Sequence, residues 1–283
     1  MDHEAWTAAQ SETTVSVDGH DLSVAYYEDA PDAGSDEPPV VFVHGIPTWS
    51  YLWRDVATAV AEDRRVVVPD MVGYGNSAMH EGFDRSIRAQ EQMLADLVDQ
   101  VADGEVALVA HDIGGGVALR YAAHHPDQVS ELVVSNGVCY DSWPVDFVSN
   151  LGLPSTAAAP HDEVMGKLEG AFTQGLLTDD PDPAFVEGML YPWDSEEGQT
   201  SLSRDAVSTN TNHTQEIPYE DISADLLCLW GKDDVMQPLE YGERLADDVG
   251  GEVVEIPGYH WVVEDSTETY VEELRSFLTE SHR

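Results

Sequence analysis

Three polar residues far apart in this 283-residue sequence, Asp112, Asp234 and His260, each stand just after an apolar run of strand length. Asp112 follows Val106-Ala107-Leu108-Val109-Ala110-His111 and precedes Ile113 and three glycines, with the small residues Ala110 and Gly114 two places away on either side. A sharp strand-to-helix turn needs that spacing. The backbone folds so tightly around the central residue that bulk at either flank clashes, and the central side chain is pushed out at the top of a sheet. An Asp here could instead cap a helix starting in the glycines, a role Asp fills well, so the surrounding sequence has to decide. Asp234 closes Gly231-Lys232-Asp233-Asp234 after the run 226–230. Its place at the fourth position of that turn, with Pro238 following, favours it over Asp233. His260 lies in Pro257-Gly258-Tyr259-His260-Trp261 after the run 252–256, in a Gly-x-His turn that sets it apart from His3, His20, His80, His124, His125 and His282, which read as surface or satisfied residues.

Nucleophile, acid, histidine is an order known for hydrolytic triads. With Asp as nucleophile the chemistry changes. A carboxylate is already ionised and displaces a leaving group from saturated carbon without a base, giving an alkyl ester. The histidine then deprotonates the water that attacks the ester carbonyl, and the acid holds the imidazole in one tautomer and stabilises its charged form. The oxyanion needs donors, and the backbone N–H groups of Ile46 and Ile113 are placed to supply them. No metal or organic cofactor is implied, because His44 and His111 have no paired ligand at metal spacing.

The elements that must position these residues alternate in type. A hairpin over 13–17 and 22–27 turns at Asp18-Gly19. Strands over 40–43, 65–69, 106–110, 129–135, 226–230 and 252–256 are separated by helical patterns over 50–61, 87–101, 117–125, 239–247 and 267–278. Residues 1–12 read as a loose arm or an edge strand. Alternation of this kind predicts an α/β fold with a mostly parallel eight-stranded sheet flanked by helices, and ligands then sit at the carboxyl ends of the strands. The pattern breaks after Asn136: helical pieces rich in Pro, Gly and Trp predict an inserted helical cap over 138–215, with the core formed by 1–137 and 216–283.

His44-Gly45-Ile46-Pro47-Thr48-Trp49-Ser50-Tyr51-Leu52-Trp53-Arg54, together with His111-Asp112-Ile113-Gly114-Gly115, resembles the haloalkane dehalogenases, within the α/β-hydrolase fold that epoxide hydrolases share. The resemblance covers the core and is weak in the cap. It implies hydrolysis of a carbon–halide bond, with epoxide hydrolysis as the alternative. It also exposes departures. The family holds the departing halide with a Trp directly after the nucleophile, where this chain has Ile113, and one branch adds an Asn where it has Ile46. Trp49, Trp143 and Trp193 are the candidate replacements, each with packing as the competing role. Relatives that cleave fluoroacetate carry Arg at the places of Ile113 and Gly116, so such haloacids are not expected. Epoxide hydrolases use two cap tyrosines, for which Tyr140, Tyr191 and Tyr219 are candidates. An esterase is disfavoured because no Ser occupies the elbow, and a non-catalytic binding module has no need of the three triad residues.

The resemblance implies a small apolar substrate and water as partners, and composition bears on the others. Acids number 55 against 12 bases, a net charge of -43, and they are spread along the chain between apolar positions. With 42% hydrophobic residues this is no disordered tail. It reads as a solvated acidic surface suited to concentrated salt, where screening removes self-repulsion. Nucleic acid, which needs clustered Lys and Arg, is excluded as a partner. Cys139 and Cys228 lie in apolar runs and read as reduced thiols. No leader-like or membrane-spanning stretch is visible, so a cytoplasmic location is expected. Dialysis to low salt should unfold the protein, seen as loss of the circular dichroism spectrum; an unchanged spectrum contradicts the halophilic reading.

Overall fold

The computed structural model describes residues 1–280, so His282 lies outside the described residues. One sheet of eight strands forms the centre: β1 (Ser11–Val17), β2 (His20–Asp29), β3 (Val40–Val43), β4 (Val66–Pro69), β5 (Val106–His111), β6 (Val129–Ser135), β7 (Asp225–Gly231) and β8 (Glu252–Ile256). Their order is β1-β2-β4-β3-β5-β6-β7-β8. β2 is antiparallel to β1 and β4, and every other neighbouring pair is parallel. All residues of β3, β4 and β5 are buried, which is why these strands read as unbroken apolar runs rather than alternating ones. The architecture is that of the α/β-hydrolase fold.

The helices are α1 (His3–Ala9), α2 (Arg54–Val60), α3 (Ile87–Val101), α4 (Ile113–His124), α5 (Asp146–Leu151), α6 (Pro154–Ala157), α7 (His161–Gln174), α8 (Pro183–Leu190), α9 (Glu196–Val207), α10 (Asn212–Gln215), α11 (Leu239–Val249), α12 (Val262–Asp265) and α13 (Thr267–Glu280). α2 packs on α13 and α3 on α4 in two groups flanking the sheet. Six of them, α5 to α10, fall between β6 and β7, where the described chain has no strand. None is long and apolar enough to cross a membrane. The hairpin turn is left-handed at both Asp18 (φ 48) and Gly19 (φ 80), the geometry an Asp-Gly pair supplies.

Two expectations are corrected. Residues 1–12 are neither a loose arm nor purely an edge strand. Asp2 caps α1 through a 2.8 Å bond to the Ala5 N–H, and Trp6 is fully buried, stacked 4.2 Å from Tyr27, before β1 begins. One large aromatic fixes a helix whose polar neighbours hid it. The helix expected from Val117 begins instead at Ile113. The glycines lie inside it, where they admit close neighbours: the Cα of Gly137 is 2.8 Å from where a Gly115 Cβ would stand.

One charged residue interrupts the central strands. Glu131 of β6 is fully buried and pairs with Arg64 at 3.0 Å, a side chain only 5% exposed. Arg64 also donates to the Pro38 carbonyl, tying the chain before β3 to the start of β4. Glu131→Ala leaves that guanidinium uncompensated and should cost about 3–5 kcal/mol in urea unfolding. A loss below about 1 kcal/mol, the range of exposed pairs, contradicts this.

Candidate active site

Asp112 stands at the end of β5 with φ 54 and ψ -124, a conformation an L-residue holds only when its surroundings enforce it. The enforcement is visible next door. A Cβ on Gly114 would overlap the Val43 and His44 carbonyl oxygens, and one on Gly45 would overlap the Asp112 side chain itself. Although Asp112 is at the N-terminus of α4, its carboxylate makes no capping bond to that helix. Oδ1 accepts instead from the Ile46 N–H at 2.7 Å, and Oδ2 lies 3.6 Å from His260 Nε2. The helix-cap role is thereby set aside. Ile113 supplies the first N–H of α4, directly beside the carboxylate in the chain.

His260 Nδ1 bonds Asp234 Oδ2 at 2.8 Å. Asp234 is 6% exposed and is held in turn by Asn136 Nδ2 (2.7 Å) and the Met236 N–H (2.7 Å). Asn136 also accepts from the Gly231 N–H at 2.9 Å, so it locks the end of β7 to the end of β6. Sequence reading missed Asn136. Its only signal was a polar residue directly after a buried strand, and its role depends on β6 and β7 being neighbours. Asp233, the rejected alternative, is exposed and only its backbone N–H is fixed, on the Gly258 carbonyl.

The electrostatics follow from burial. His260 is 2% exposed; burial alone would lower its pKa, but the Asp234 charge and the nearby Asp112 carboxylate outweigh it and raise the value to about 10. Burial would raise Asp234, but His260, Asn136 and the Met236 N–H hold it below the ordinary carboxylate range. His44 and His111, fully buried, are pushed down to about 4 by desolvation and stay neutral. His44 accepts from the Met71 N–H at Nε2 (3.0 Å), so Nδ1 donates to the Gly45 carbonyl (2.9 Å). His111 Nε2 donates to the His260 carbonyl at 2.9 Å. Both are struts of the site. Among the described residues no group of three or more His, Cys, Asp or Glu side chains could hold a metal.

The tryptophans fare differently from one another. Trp49 donates its indole N–H to the Gly188 carbonyl (2.8 Å) and Trp193 to the Pro47 carbonyl (2.7 Å). Both join the helical insertion to the loop around Ile46, and neither N–H is left for an anion. Trp143 Nε1 is buried without an acceptor. Two tyrosine hydroxyls are also engaged: Tyr140 bonds Asp248 (2.7 Å) and Tyr219 bonds the Thr214 carbonyl (3.0 Å), while Tyr191 is 42% exposed with its ring against His3 and Trp49. A cavity of about 640 Å³ opens beside Asp234 and His260. Replacing Asp112 by Asn should lower the His260 titration midpoint by roughly one unit or more, followed by imidazole NMR, since an opposite charge this close shifts a pKa by about 1–3 units. An unchanged midpoint contradicts the coupling.

The sequence model described as the alpha/beta hydrolase fold matches residues 38–267. A haloalkane dehalogenase of Mycolicibacterium paratuberculosis is 36% identical over 128 residues, covering 42% of this chain and 40% of the relative. A cis-3-alkyl-4-alkyloxetan-2-one decarboxylase of Shewanella oneidensis is 36% identical over 101 residues, covering 35% and 32%. The chain thus aligns with less than half the length of these curated relatives. The crystal structure of an alpha/beta hydrolase fold protein from Burkholderia ambifaria superposes with a TM-score of 0.83 at 25% identity, covering 93% of this chain and 97% of that one. With the elbow, the strand order and a family match over most of its length in agreement, the chain belongs to the alpha/beta hydrolase fold family.

Proposed function

We propose that the protein hydrolyses a halogenated saturated carbon through an ester on Asp112, as a haloalkane dehalogenase does. The observation that carries this reading is the Asp112 carboxylate itself. It sits in the elbow with one oxygen on the Ile46 N–H and the other facing His260, and makes no bond to its own helix. The similarity to haloalkane dehalogenases supports the leaving group. Residues 138–215 serve as the cap over a core of 1–137 and 216–283.

In the first step an Asp112 oxygen attacks the carbon, the carbon–halogen bond breaks, and the halide leaves with the bonding pair. The ester carries no charge, so His260 loses one of its two carboxylate partners and its pKa falls from about 10. It sheds its proton and becomes the base that the second step needs. His260 takes a proton from water, hydroxide adds to the Asp112 carbonyl carbon, and the Ile46 and Ile113 N–H groups receive the oxyanion. Collapse expels the alkoxide, which takes the proton back from His260. Asp112, left protonated by the collapse, passes its proton to His260, so both return to their starting states and the one proton released per cycle is the one His260 shed on esterification.

Epoxide hydrolysis uses the same ester and remains the second reading, but its tyrosine donors are bonded elsewhere or exposed. A panel of haloalkanes, epoxides and a cis-dialkyl oxetanone (the substrate class of the Shewanella relative) should give halide release, with epoxides and the oxetanone inert. Ester formation should be flat with pH through the neutral range while ester breakdown rises with pH, as His260 must be neutral. Turnover of epoxides alone, or breakdown that falls as pH rises, overturns the respective statement.

A further inference from the structure

All nine described arginines and Lys232 lie within 4.0 Å of a carboxylate, as expected of a chain with 55 acids. Among the described lysines and arginines, Lys167 alone has no ion pair. It lies on α7 and lines a cavity of about 610 Å³ between α7 and α5 that has no acidic residue in its wall. This cavity shares Phe147, Ala171 and Gln174 with the 640 Å³ cavity that reaches His260. Lys167, Gly170, Ala171 and Gln174 fall on one face of α7, at the three- and four-residue spacing of a helix. Beyond Gln174 the helix ends against the catalytic loop, where the Trp261 N–H bonds the Gly175 carbonyl at 3.3 Å. Seven to eight residues of helix separate that contact from Lys167, about 10 Å at the rise of an α-helix.

The groove floor is open. A Cβ at Gly166 would meet nothing within 4 Å, and one at Gly170 only the Gln174 amide at 3.6 Å. Towards His260 its walls carry Phe147, Met236 and Val235, the last 90% exposed, with Asp233 and Asp234 at the far end beside His260. A charged end and an apolar run leading to a reactive centre fit one kind of molecule. We propose that the groove binds an amphiphile with an alkyl chain and a terminal carboxylate, the carboxylate at Lys167 and the far end of the chain turned towards Asp112. The placement of the reacting end rests on the hydrolase reading above; the groove and its charge do not.

The test uses probes that cannot react. Decanoate and decan-1-ol are titrated calorimetrically into wild-type protein, Lys167→Gln and Gly170→Leu, all in the salt that keeps the protein folded. Wild type should bind decanoate more tightly than decanol. Lys167→Gln should weaken decanoate about fivefold and leave decanol unchanged, the effect of losing one exposed ion pair. Gly170→Leu, at a half-buried helix position where an added Cβ meets only the Gln174 amide at 3.6 Å and Leu is a good helix former, should weaken both by filling the groove. Equal affinity of the two probes in wild type, or decanoate binding indifferent to Lys167→Gln, overturns the proposal. Turnover of a short bromoalkane, measured alongside, should be unaffected in both variants. If wild type fails to turn it over, the hydrolase reading falls while the decanoate result still decides the groove.

Discussion

The structure depends on one strained turn. Asp112 is held at positive φ between β5 and α4 because the Val43 and His44 carbonyls and Gly45 leave room for no other path. The turn does three things at once. It denies the carboxylate to the helix it precedes, delivers one oxygen to the Ile46 N–H, and leaves the other facing His260. The glycines of the elbow are therefore spatial requirements of the site. Strain of this kind persists only where the surroundings over-determine it, and here both neighbouring strands contribute.

The second dependence is electrostatic. One nearly fully buried imidazole lies between two carboxylates, so its charge is stabilised far beyond the usual histidine range. On the proposed mechanism this is a timing device. While Asp112 is ionised, His260 is its counter-charge and no base. Once Asp112 is esterified, the reason for the extra proton disappears. Asn136 and the Met236 N–H stop Asp234 from compensating by moving, since both of its oxygens are already engaged.

Much of this was legible in the sequence because position along a strand determines where a side chain can be. Asp112, Asp234, His260 and Ile46 each follow an apolar run, and a parallel sheet gathers those ends into one place. The central strands β3 to β7 were readable because buried parallel strands leave continuous apolar runs, and β1 and β2 because of the Asp-Gly turn between them. Asn136 was not readable, because its value lies in bridging two strands whose adjacency no local pattern reveals. Nor was the assignment of the indole N–H groups of Trp49 and Trp193, which find backbone carbonyls across the insertion boundary. The start of α4 was misplaced because a run of glycines argues for a break unless the packing that requires them is known.

The helical insertion is the part of the chain in which the pattern weakens, and it is where the molecule differs chemically from its own surface. A chain with a net charge of -43 places in a wall without acids the one lysine, Lys167, that has no ion pair among the described residues. The central claim concerns Asp112, and peptide mass spectrometry of His260→Gln protein incubated with a bromoalkane tests it most directly. The expected result is an added alkyl group on the peptide containing Asp112, accumulating to one per chain and absent in Asp112→Asn. Halide release without any such adduct, or an adduct that survives the Asp112 substitution, would contradict it.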